Sequence, residues 1–95
     1  MQKIDVTIFV RQIAEALSEH PEWLEIKEST DERGVLITLY ADNGDMGRLI
    51  GKKGETVNAI RNLLRVLGGR NEARYSLKID DLDKIKDSRS VLTVE

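Results

Sequence analysis

Leu49-Ile50-Gly51-Lys52-Lys53-Gly54-Glu55-Thr56-Val57-Asn58-Ala59-Ile60 decides how this chain is read. Two glycines bracket a dibasic pair, and aliphatic residues recur at helical spacing on either side. The stretch predicts a helix, a four-residue loop and a second helix. Gly51 and Gly54 carry no Cβ, so the backbone there can turn tightly and come close to a ligand. Lys52 and Lys53 then project at the tip. The first turn of the following helix leaves backbone N–H groups without intrahelical partners and carries the positive end of the helix dipole, which favours an anion. A nucleic-acid backbone supplies one.

Upstream, Asp5 can cap a helix whose apolar residues Val6, Phe9, Ile13, Ala16 and Leu17 recur every three or four positions. His20-Pro21 stops it. Leu24 and Ile26 alternate with Glu25 and Lys27 as in a half-buried strand, and Ser29 to Gly34 reads as a turn into a second strand, Val35 to Tyr40. The aliphatic density of that second strand places it centrally in the sheet. Ala41 to Asp45 is a loop by composition, with Asp45 at the cap of a short helix, Met46 to Ile50. Beyond the glycine loop, Val57, Ile60, Leu63, Leu64 and Leu67 form a buried stripe that Gly68-Gly69 should end, leaving Asn58, Arg61, Asn62 and Arg65 on the outer face. Tyr75, Leu77 and Ile79 alternate with polar residues as a third strand.

The resulting order is α-β-β-α-α-β, an α+β fold with a three-stranded mixed sheet and three helices on one face. The helix pair acts as a crossover, so the second and third strands are expected to run parallel. Residues 1–80 read as the domain and residues 81–95 as an acidic tail, in which Val91-Leu92-Thr93-Val94 could form a short terminal strand.

Two aliphatics, the Gly-x-x-Gly string, the basic tip, and aliphatics three and six residues after the second glycine (Val57 and Ile60) together resemble the K-homology (KH) RNA-binding domain. The element order is similar to its bacterial, type II arrangement. The size and the Asp45-Met46-Gly47-Arg48 lead-in resemble the small single-KH proteins of the KhpA family, over roughly residues 4 to 80. A proline common before this segment in the family is missing, which touches only loop rigidity. The resemblance implies a narrow groove for about four unpaired nucleotides, clamped by Gly51, Lys52, Lys53 and Gly54. It also implies homodimers and a larger KH-containing partner protein. Charge and periodicity add Arg48 and Arg61 as phosphate contacts, and Leu49, Ile50, Val57 and the second strand as an apolar groove floor. The expected function is binding of single-stranded RNA, in post-transcriptional regulation or as an RNA chaperone. The alternatives are a protein-interaction module or a single-stranded DNA binder on the same fold.

The formal net charge of −2 opposes this reading until the charges are located. Residues 46–78 hold eight bases against two acids, a net of +6, while the remainder carries −8. Such a dipole steers a polyanion to one side of the molecule. Ninety-five residues bury only about 60 to 65% of their unfolded surface, enough for one core. There is no cysteine for disulfides or thiolate chemistry, no apolar run of about 18 residues and no secretory leader, so a cytoplasmic protein without a membrane span is expected.

Four aromatics, Phe9, Trp23, Tyr40 and Tyr75, stand apart from the basic loop, which disfavours an aromatic stacking platform. Phe9 reads as core and Trp23 as a hydrophobic anchor at a strand start. The lone His20 beside a proline is a boundary residue rather than a catalyst. Asp80, Asp81 and Asp83 read as solvated acid, and Asp42-Asn43-Gly44-Asp45 fails the calcium-loop pattern. No Walker-type phosphate loop is present. Neither an enzyme nor a cofactor, metal or small-molecule substrate is expected.

Overall fold

The computed structural model describes residues 4–85. Helix α1 (Val6–Leu17) leads through a single 3-10 turn (Pro21–Trp23) into strands β1 (Glu25–Asp31) and β2 (Gly34–Ala41). Helix α2 (Asn43–Ile50), a second 3-10 turn (Lys52–Gly54) and helix α3 (Glu55–Asn71) then return the chain to β3 (Tyr75–Asp81). β2 is the central strand, antiparallel to β1 and parallel to β3, with Ile37 beside Leu77 and Leu39 beside Ile79. The α2–α3 pair supplies the long connection that a parallel pairing requires.

Alternation along β2 turns Ile37, Leu39 and Ala41 to one face, where they are fully buried. Val10 of α1, Leu49 of α2 and Ile60 and Leu64 of α3 join the same cluster. All three helices therefore cover one side of the sheet, and the expected type II KH arrangement is the one observed. Phe9 packs against that core, half-buried.

Local boundaries differ from expectation, each for a traceable reason. The hairpin turn is only Glu32-Arg33, because Ser29, Thr30 and Asp31 pair with Leu36, Val35 and Gly34. The Arg33 amide donates to the Asp31 carboxylate at 2.8 Å and closes it. On α1, Ala16 and Leu17 are exposed, and the buried stripe is Val6, Val10 and Ala14. Ala16 lies about 120° round the helix from Val10, and Leu17 is the last residue.

Helix α2 begins three residues before the expected Met46, capped by Asp42 rather than Asp45. Helix α3 runs through Gly68-Gly69 to Asn71, and Glu72 ends it in the left-handed region at φ 55°. Two interior glycines cost about 1 kcal/mol each in propensity. Asn71 offsets this: its side chain is buried, accepts the Ile4 amide, and donates to the Ile4 carbonyl and the Tyr75 hydroxyl. Gly68 is needed for closeness, since a Cβ there would sit 2.6 Å from the Ala73 carbonyl oxygen. Leu63, expected in the buried stripe, is exposed, as is Val66 at 74%. Leu63 sits about 80° off the centre of the buried stripe.

Trp23 is also exposed, so it anchors nothing in the core. Asp80 is not solvated acid: it is largely buried between the Lys84 and Lys78 ammonium groups, at 3.0 and 3.5 Å. The Asp81 amide, followed by Lys84, holds its carboxyl below the ordinary value. Ile85 is buried outside the main cluster. The proposed terminal strand Val91-Leu92-Thr93-Val94 lies outside the described residues.

Candidate nucleic-acid interface

The glycine loop is a single 3-10 turn between two helices, and its shape is set by three consecutive backbone devices. Gly51 ends α2 at φ 78° and ψ 170°, donating its amide to the Gly47 carbonyl at 2.8 Å. A Cβ at Gly51 would strike the Thr56 hydroxyl and lie 2.7 Å from the Thr56 amide nitrogen, so space and conformation both exclude a side chain. Lys53 follows in the left-handed region at φ 56°, and Gly54 at φ 77° starts α3, its amide donating to the Gly51 carbonyl at 3.1 Å. No side chain caps the N-terminus of α3, and the Glu55 amide that opens it donates to the Lys52 carbonyl. Lys52 and Lys53 are both exposed and enter no ion pair among the described residues.

The other expected contacts are placed more variously. Ile50 and Val57 flank the loop, Ile50 half-buried and Val57 buried. Leu49 is fully buried, so it supports the loop from beneath and offers no surface to a ligand. Arg48 points back along α2, its guanidinium 2.6 Å from the Glu19 carboxylate and 3.7 Å from Asp45. Arg61 lies across the α3–β3 seam, donating from Nη2 and Nε to the Leu77 carbonyl at 3.1 and 3.4 Å. It therefore faces the edge of the sheet, as a groove wall should.

That edge is β3, not the second strand. β2 is paired on both sides and its inward residues are buried, so it cannot line an open groove. Between α3 and β3 runs a trough of about 520 Å³, with Leu64, Tyr75 and Leu77 among its apolar lining and Arg61, Arg65 and Arg74 at its rim. Sequence reasoning did not single out Arg65, Arg74 or Tyr75. Arg65 had a usable signal, since it stands four residues after Arg61 and so shares its flank of the helix. Arg74 and Tyr75 had none, because only the α3–β3 packing brings them there.

The opposite end of α2 is fixed. Asp45, the third residue of the helix, is 2% exposed, and its two carboxylate oxygens accept the Glu19 and His20 amides at 2.8 and 2.9 Å. Burial pushes this carboxyl up, but the two amides, the nearby His20 and the bond with Asp42 outweigh it, and it titrates below the ordinary value. The end of α1 is thereby tied to the helix that delivers the loop. Among the described residues no group of three acids or histidines could hold a metal ion, and no helix is long and apolar enough to cross a membrane.

The KhpA/KhpB KH-domain family matches residues 7–79. The RNA-binding protein KhpA of Chlamydia pneumoniae is 38% identical over 71 residues, which are 75% of this chain and 91% of that protein. KhpA of Halalkalibacterium halodurans is 35% identical over 72 residues, covering 76% and 95%. KhpA of Listeria monocytogenes is 33% identical over 70 residues, covering 74% and 92%. No solved structure matches the chain. The matched span takes in α2, α3 and all but the first residue of α1, all but the end of the sheet and the whole glycine loop, and the chain belongs to the KhpA/KhpB KH-domain family.

Proposed function

We propose that this protein binds single-stranded RNA non-catalytically, with the Lys52-Lys53 turn gripping the sugar-phosphate backbone and about four unpaired bases lying in the trough between α3 and β3. One observation carries the reading. Two unpaired, exposed lysines stand on a turn whose left-handed backbone is fixed before any ligand arrives, next to a helix start without a side-chain cap and an arginine-rimmed trough. Preset geometry lowers the ordering cost of binding. The relatives bearing the name RNA-binding protein point the same way.

Arg61 and Arg65 extend the phosphate track along α3, while Ile50, Val57 and Tyr75 offer apolar contact to bases. Residues 1–80 act as the binding domain. If about three phosphates are neutralised, log affinity falls with log salt at a slope of about −2. So short a site gives modest affinity, and self-association or a larger KH-containing partner would raise it by linking sites. The exposed Leu63 and Val66 lie on the flank of α3 opposite Arg61 and Arg65, leaving the trough open in such an assembly. A cytoplasmic post-transcriptional regulator or RNA chaperone fits these properties.

The test is the double substitution Lys52→Asp with Lys53→Asp, assayed against matched unpaired RNA and DNA oligomers. Circular dichroism should be unchanged and RNA affinity should fall by about 100-fold, since two attractive charges become repulsive. Unaltered RNA affinity would defeat the loop assignment, and tighter binding of DNA by the parent protein would defeat the choice of RNA.

A further inference from the structure

The far end of the sheet carries a second concavity that the RNA contacts leave unused. β2 and β3 finish together at Ala41 and Asp81, and β1 starts beside them at Glu25. Between these ends and the Pro21–Trp23 turn lies a hollow of about 510 Å³. Trp23 and Leu82 give it apolar walls, and Glu22, Glu25, Asp42 and Asp83 surround them. Among the described residues no basic side chain lines it.

Trp23 stacks on His20 with ring centroids 4.0 Å apart and 15° between planes, yet it remains 47% exposed. Tryptophan is enriched among the residues that carry most of the binding energy at interfaces. The carboxylates do not converge on a point, because no three acids among the described residues are grouped to hold a metal ion. They spread around an apolar hollow. That distribution suits an elongated cation with an apolar stem and a planar head, which can lie against an indole while its N–H groups reach several carboxylates. An ammonium group, compact and strongly hydrated, uses such a site less well.

We propose that this hollow docks an arginine side chain carried by an extended segment of another protein. Charge decides against the other polymer at hand: an RNA backbone is repelled by the acidic rim, just as a basic peptide is repelled by the +6 region that carries the glycine loop. The eight residues of α2 set the two sites about 12 Å apart. Both can be filled at once, so a basic partner joins the protein without displacing RNA. The docking reading stands independently of what the glycine loop binds.

Trp23 is the chain's one tryptophan, so its fluorescence reports the hollow directly. The full chain is titrated with a capped peptide of alternating glycine and arginine, and with lysine and glutamate versions of it. A saturable change is expected with arginine, a response at least threefold weaker with lysine, and none with glutamate. Combining Glu22→Gln with Asp83→Asn should weaken arginine-peptide binding about tenfold while leaving the circular dichroism intact. The Lys52→Asp, Lys53→Asp protein should bind the peptide at least as tightly as the parent does. No saturable change, equal responses to arginine and lysine, or undiminished binding by the Glu22→Gln, Asp83→Asn protein would each overturn the proposal.

Discussion

At the N-terminal end of α2, Asp42 caps the helix and the buried Asp45 carboxylate takes up two amides from the end of α1. Eight residues later the same helix ends in a turn with three positive φ values, two unpaired lysines and, beyond them, a helix start that no side chain caps. One end spends its polar groups on the fold, and the other withholds them. The contrast teaches how a domain this small can present a clamp. The anchor fixes where the helix points, the glycines fix the shape of the turn, and the charges remain free for an external partner.

Cutting the anchor should have the largest effect. Asp45→Ala leaves the Glu19 and His20 amides without their acceptor and is expected to cost about 3 kcal/mol, a fall in Tm of more than about 10 °C by scanning calorimetry. The effect depends on pH in one direction. Because the folded carboxyl titrates below 3.8, its contribution is complete at neutral pH and is lost as pH falls through the depressed folded value. The gap in stability between the parent and Asp45→Ala should therefore be flat from pH 7 to 5 and shrink only in stronger acid.

The loop end answers to backbone geometry instead. Gly51→Ala meets Thr56 as well as an unfavourable φ and should cost about 2 kcal/mol, whereas Gly54→Ala, whose Cβ would make only ordinary contacts with Asn58 and Val57, should cost about 1 kcal/mol. Chemical denaturation of the two variants measures the difference, and equal losses would show that the close approach at Gly51 is not needed. The smallest effect lies between the two ends. Glu19→Gln removes the stronger of the two ion pairs that hold Arg48, leaving Asp45 at 3.7 Å, and RNA affinity should rise about two- to threefold with stability changed by less than about 0.5 kcal/mol.

What the sequence made legible was local. The glycine loop, its basic tip and the apolar residues around it sit within twelve consecutive positions, and strand alternation in Val35–Tyr40 and Tyr75–Ile79 needed no distant information. The continuation of α3 past Gly68-Gly69 was not legible, because Asn71 secures it by bonding Ile4, 67 residues away in sequence. Asp42 and Asp45 are chemically identical cap candidates three residues apart, and only the approach of α1 assigns one to the cap and buries the other. Leu63 misled for a related reason: an apolar residue off the buried stripe looks the same as one on it until the packing partner is known. The trough stayed hidden because Tyr75, at the start of β3, and Arg74 just before it reach it from the segment that follows α3.

The central claim is that the Lys52-Lys53 turn and the α3–β3 trough are one binding surface, distinct from the anchored end of α2. Two-dimensional amide NMR of the full chain, titrated with an unpaired RNA oligomer, tests it most directly. Resonances of Gly51 to Thr56, Arg61, Arg65 and Tyr75 to Leu77 should shift together with one apparent Kd, while those of Glu19, His20 and Trp23 stay in place. Shifts centred on Trp23 and Asp42, with the glycine loop unmoved, would contradict it.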